Sequence, residues 1–170
     1  MILLTAKDFI SRFSLIEIGQ LLTNSGDSLK NRSNRRDDFV QDIYDTGDES
    51  GNVKEDVKKD LRRHIDSAES ITEAMISNRY VVPLFDQENE LILTTDQVPE
   101  QLKDVVANIA RWYLNDRILG EFDIVTRRYE DSMNFLKKLS EGDANLITSI
   151  QLKEVGIRDA EGNKEVLYAI

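Results

Sequence analysis

His64 is the only histidine in the chain, and the run "HID" places Asp66 two residues after it. An imidazole beside a carboxylate is the smallest pair that could support general acid–base or metal chemistry. On a helix, however, residues two apart point to different faces, and no spacing elsewhere signals further ligands. His64 therefore reads as an ordinary helix-surface or subunit-contact histidine. The acidic run Asp45, Asp48, Glu49 and Glu55 suggests calcium, but it lacks the ligand spacing and bidentate glutamate of an EF-hand loop and reads as solvated. Lys30, Arg32, Arg35 and Arg36 form the best local candidate for phosphate contact. Asp37 and Asp38 follow at once and offset their field, which leaves solvated charge, inter-subunit salt bridging and DNA contact all open. Glycine-rich phosphate loops, nucleophile elbows and H-E-x-x-H motifs are missing from the sequence. No catalytic, cofactor or metal site is expected, and the chain reads as not an enzyme. A hydrolase built from scattered carboxylates and His64 would have no motif behind it.

Composition narrows the choice further. The 170 residues suffice for one packed domain with an attached arm. They are 40% hydrophobic and 32% charged, with eight glycines and two prolines, the profile of a helix-rich globular chain. Thirty-two acids against twenty-two bases give a formal net charge of −10, which disfavours a broad phosphate-binding surface. The chain contains no cysteine, which excludes disulfides and thiolate chemistry and suits a reducing compartment. With no signal-length or membrane-length apolar run, a soluble, cytosolic protein is expected.

The elements that would position these residues are mostly helical. Thr5 followed by Asp8 is a capping box that starts a short helix. Phe9, Ile10 and Phe13 share its stripe, and "SLIEIGQLLT" continues as a second apolar element. From Gly26 to Asn52 the chain turns polar, over a length well beyond the usual connection of about 4–6 residues, so a functional loop is expected. Phe39 and Tyr44 are its candidate anchors, beside Arg35 and Arg36. A long helix is expected over about Val53 to Arg79, with Leu61, Ile65, Ala68, Ile71 and Met75 on its apolar stripe and Lys58, Asp60, Arg62, Glu69 and Glu73 on other faces. It ends in "NRYVVPLF", where Pro83 forces extended structure and Tyr80 and Phe85 become buckle or interface candidates. Pro99 opens a further helix whose stripe includes Leu102, Val105, Val106 and Ile109. Ile124, Val125, Tyr129, Met133, Leu136 and Leu139 form another, which stops at Gly142. Trp112, Tyr113, Tyr129 and Phe135 read as core or helix–helix interface. Beyond it, near-alternation at Leu146, Thr148, Ile150 and Leu152 suggests strands over Ile147–Val155 and Glu165–Ile170. Ile150, Leu152, Leu167 and Tyr168 would be their contact residues.

The expected fold is therefore mainly α: a small antiparallel helical bundle over 1–143 with a long polar loop at 26–52, followed by a C-terminal β-hairpin arm at 144–170. Both excursions are expected to order on a partner.

"TAKDFISRF", "IEIGQLLT", "IDSAESITEAMISNRYVVPL", "PEQLKDVVANIARWYLNDR" and "VTRRYEDSMNFLKKLSEGDANL", in that order, resemble the Mu-like family of phage head–tail connector proteins, the DUF1320 group. Arg79–Tyr80 with Pro83–Leu84 and the "IARWYLNDR" helix are the most specific pieces. The resemblance covers about the first 146 residues apart from 26–52. It implies a structural virion protein of a tailed phage or prophage: a homo-oligomeric ring in the neck between the portal protein and the tail or tail-terminator protein. Genomic DNA would pass through its lumen without tight binding, and no membrane would be involved. It implies a virion location, with the host cytoplasm as the place of assembly. The alternative from another class is a small helical regulatory or adaptor protein acting as a dimer.

Overall fold

The computed structural model describes residues 3–14, 17–19, 21, 55–80, 82, 97–115, 123–146, 155–158 and 164–167. Among the described residues, α1 (Ala6–Ser11), α2 (Glu55–Ile76), α3 (Glu100–Asn115) and α4 (Asp123–Glu141) carry most of the packed part, and residues 17–19 and 21 are helical as well. The long polar segment at 26–52 lies outside the described residues.

Each helix boundary has a local cause. Thr5 is the N-cap of α1, its Oγ1 accepting the Asp8 N–H at 3.0 Å. The return half of the expected capping box is altered, because the Thr5 hydroxyl donates to Asp8 Oδ2 at 2.7 Å. Aspartate is one methylene shorter than the glutamate of the usual box, so its reach is to the hydroxyl. The Pro99 carbonyl, just ahead of α3, accepts from Leu102 N–H at 2.9 Å and Lys103 N–H at 3.2 Å. Gly142 follows α4 with φ +90°, and Ala144 N–H reaches back to the Lys138 carbonyl at 3.1 Å. A Cβ at Gly142 would meet Arg79 Nη1 at 3.5 Å, an ordinary contact, so it is the positive φ and not crowding that favours glycine. Helix α2 ends three residues earlier than expected, at Ile76, and after it Arg79 and Tyr80 N–H both return to the Ile76 carbonyl.

Helix α2 packs on α3 and α4, and α3 packs on α4, with α1 resting against α2. The shared core takes Leu61, Ile65, Ala68 and Ile76 from α2, Leu102, Val106, Ile109 and Ala110 from α3, and Leu136 and Leu139 from α4, all at 1% exposure or less. The N-terminal segment closes it with Leu3, Leu4, Phe9 and Ile10, each fully buried. Leu61, Ile65, Ile109 and Leu136 thus lie where the helical periods place them, while Tyr129 is half-buried. Its ring stacks on Trp112 across the α3–α4 contact, centroids 4.3 Å apart.

The expected fold class needs correction at its C-terminal end. Among the described residues the packed part is mainly helical and neither strand contributes to its core, so a bundle bearing a β-hairpin arm, with strands over Ile147–Val155 and Glu165–Ile170, does not describe it. The extended pairing present is a short ladder, β1 (Val155–Arg158) antiparallel to β2 (Lys164–Leu167), with Val155 opposite Leu167. Leu146, where the alternation begins, is 7% exposed and belongs to the helical cluster, and residues 147–154 lie outside the described residues.

Candidate functional site

The polar side chains that α2 holds inside the fold act as two clamps. Glu69, read from sequence as lying away from the apolar stripe, is only 4% exposed. Its Oε1 accepts the Leu3 N–H at 2.8 Å and the Leu4 N–H at 2.9 Å, and its Oε2 accepts from Arg62 Nη2 at 2.9 Å. Arg62 also donates to the Leu4 carbonyl at 3.0 Å and pairs with Asp66 at 2.6 Å. Burial pushes the Glu69 carboxyl above its ordinary pKa, against the opposing pull of the Leu4 N–H, Arg62 and the Leu3 N–H. The N-terminal segment is thereby fixed to the middle of the helix by a carboxylate and a guanidinium acting together.

The second clamp is the Arg79–Tyr80 pair. Arg79 Nη1 donates to the Ala144 carbonyl at 2.9 Å, and the Tyr80 hydroxyl accepts the Leu146 N–H at 3.1 Å. Tyr80 is 2% exposed, so the residue named as an interface candidate is engaged inside the fold. It fastens the end of α4 to the end of α2. The "NRYVVPLF" stretch thus supplies a buckle at Tyr80, while Phe85 lies outside the described residues.

A third set of charges ties α1 to α3. Arg12 forks to Glu100 and Asp104, one turn apart, the Asp104 contact at 3.0 Å. Arg111 pairs with Glu17, Nε to Oε1 at 2.6 Å, and its guanidinium lies 4.7 Å over the Phe13 ring. The hydrogen bond from Lys103, at 2.7 Å, is the main reason that Glu100 stays below the ordinary carboxylate pKa, with Arg12 adding to it.

Between these contacts lies an open groove of about 480 Å³. Phe13, Val105 and Phe135 give it an apolar floor, and Arg12, Asp104, Arg128 and Asp131 stand at its rim. Asn108 bridges α3 to Ser132 of α4 across it at 3.3 Å. This surface was not legible as a unit in the sequence, because its walls come from α3, α4 and the segment that follows α1.

The other sequence candidates fall as follows. Arg35, Arg36, Phe39, Tyr44, Ile150, Leu152 and Tyr168 lie outside the described residues, and Leu167 ends β2. His64 is corrected from a surface to a buried side chain: it is 9% exposed, with Nε2 3.7 Å from Asp60 Oδ1 one turn back. Asp66, expected on another face, pairs with Arg62. Among the described residues, no group of three or more His, Cys, Asp or Glu is placed to hold a metal ion. No helix among them is long and apolar enough to cross a membrane.

Together these features define a mainly helical protein in which buried charge joins chain segments and the open surface is an amphiphilic groove. The chain belongs to the Bacteriophage Mu Gp36 family, whose profile matches residues 4–159, and it is a phage protein. That match spans the 26–52 segment and continues past Leu146, beyond the limits of the resemblance carried by the sequence motifs. No curated protein matches the chain.

Proposed function

We propose that this protein is a structural virion component of a tailed phage or prophage, a head–tail connector assembling as a ring in the neck between the portal and the tail. The observation that carries the reading is the match to a phage family across residues 4–159. The buried charges support it, since Glu69, Arg62 and Arg79 are engaged in holding the fold. The formal net charge of −10 suits a lumen through which genomic DNA slides without tight phosphate contact. Portal protein and a tail or tail-terminator protein are the proposed neighbours.

Negative-stain images and light scattering of the protein, alone and with portal, test this reading. Rings, or a stable complex with portal, are the expected result. A strictly monomeric or dimeric species that ignores portal and tail proteins would favour the adaptor alternative. Micromolar, salt-sensitive duplex binding by the isolated protein would count against a repulsive lumen.

A further inference from the structure

The groove between α3 and α4 and the outer row of α2 differ in shape and in charge. On α2, Lys59, Arg63, Ser67 and Ser70 recur at helical spacing and are all exposed. They lie roughly half a turn from the Leu61, Ile65 and Ala68 stripe that packs inward. Arg63 pairs with Asp60 of its own helix at 2.8 Å and keeps 60% of its side chain in solvent. On the other side of the α2–α3 contact, the row Gln101, Asp104 and Asn108 lines the groove, again about half a turn from the α3 residues Val106 and Ala110 that are fully buried. The two surfaces therefore point away from each other on one subunit.

Their accessible charges are complementary. At the α1 end of the groove, Arg12 is only 17% exposed, whereas its partners Glu100 and Asp104 are 70% and 64% exposed. What an approaching surface meets there is negative. Asp131 adds a further exposed acid, and the exposed Arg128 on the same rim is opposite in sign to Asp66, which is exposed beside the α2 row. Ile124, 61% exposed, stands one helical turn before Arg128 on α4.

We infer that the occupant of this groove is the α2 outer row of a second copy of this chain. Because the two contacting surfaces are different and lie on opposite sides of the subunit, the contact is head-to-tail. Repeated, such a contact closes into a ring or runs on as a filament, whereas a groove-to-groove contact would stop at a dimer. Lys59 and Arg63 meet the Glu100, Asp104 and Asp131 carboxylates, and the groove floor takes the apolar stems of those long side chains. The inference rests on the ring reading and specifies which faces make the ring.

The absence of native cysteine gives a clean test. Full-length Ser67→Cys and Asp131→Cys proteins are oxidised separately and as a mixture. A disulfide-linked heterodimer, of twice the 19.5 kDa chain mass, is expected in the mixture and from neither variant alone. In parallel, Arg63→Glu should bring the assembled mass down to that of a single chain, and Asp131→Arg in the same chain should restore it. A homodimer from Asp131→Cys alone, or an assembled mass indifferent to Arg63→Glu, overturns the inference. An indifferent mass in a wild type that still forms rings with portal would leave the connector reading standing. A wild type that stays monomeric with and without portal removes both.

Discussion

The two clamps on α2 do the same work with different chemistry. Near its middle, Glu69 and Arg62 hold Leu3 and Leu4 through a buried carboxylate that takes two backbone N–H groups on a single oxygen. At its end, Arg79 and Tyr80 hold Ala144 and Leu146 through a guanidinium and a phenol, with no carboxylate involved. The first clamp places a carboxyl group where water is scarce, and burial pushes its pKa up accordingly. The difference teaches that the N-terminal attachment depends on pH in a way that the C-terminal buckle does not share through the same kind of group.

Between the clamps, the apolar core sets the scale against which both are judged. Leu61 and Leu136 are at 1% and 0% exposure, and Leu61→Ala or Leu136→Ala should cost roughly 2–5 kcal/mol of stability, seen as a lower denaturation midpoint. A smaller loss than at either clamp would mean that the polar contacts, and not the core, dominate.

Glu69→Ala is expected to come next, at about 2–4 kcal/mol, since it orphans two buried N–H groups and the Arg62 contact. Glu69→Gln keeps an acceptor for Leu3 and Leu4 but removes the titration. Because the carboxyl is raised in the folded chain, it binds its proton more tightly there than in the unfolded chain. Its contribution to stability is therefore fully present below the ordinary value of 4.5 and is lost as pH rises through the folded pKa. Wild type should lose stability relative to Glu69→Gln over that rise, and parallel pH profiles of the two would remove the distinction between the clamps.

Tyr80→Phe tests the second clamp alone. It leaves the Leu146 N–H without its partner and should cost about 1–2 kcal/mol. Hydrogen exchange at the Leu146 amide should speed up while the Leu3 and Leu4 amides stay protected. Thr5→Ala, which removes the α1 cap, is the smallest expected effect, about 1 kcal/mol, and should loosen the N-terminal amides only.

The parts legible in the sequence were those with a local cause. Thr5, Pro99 and Gly142 mark boundaries through their own backbone chemistry, and the Leu61, Ile65, Ile109 and Leu136 phases follow from a single helical period. Glu69 and His64 were misplaced because periodicity along α2 registers only the wall that the helix itself presents. What covers Glu69 is a backbone segment 65 and 66 residues earlier in the chain. The Tyr80 contact was illegible for the same reason, its partner being 66 residues later. The alternation read as strand starts at Leu146, which is buried with the helical core. The groove escaped notice because Phe13, Val105 and Phe135 each looked like core from its own helix, and only their juxtaposition leaves an open floor.

The central claim is that this helical fold is a building unit of the phage neck. An electron-microscopy reconstruction of the neck in intact particles tests it most directly. The account predicts a ring of copies between portal and tail, with density for α2, α3 and α4 in each. A complete neck whose density accommodates no copy of the α2–α4 packing would contradict it.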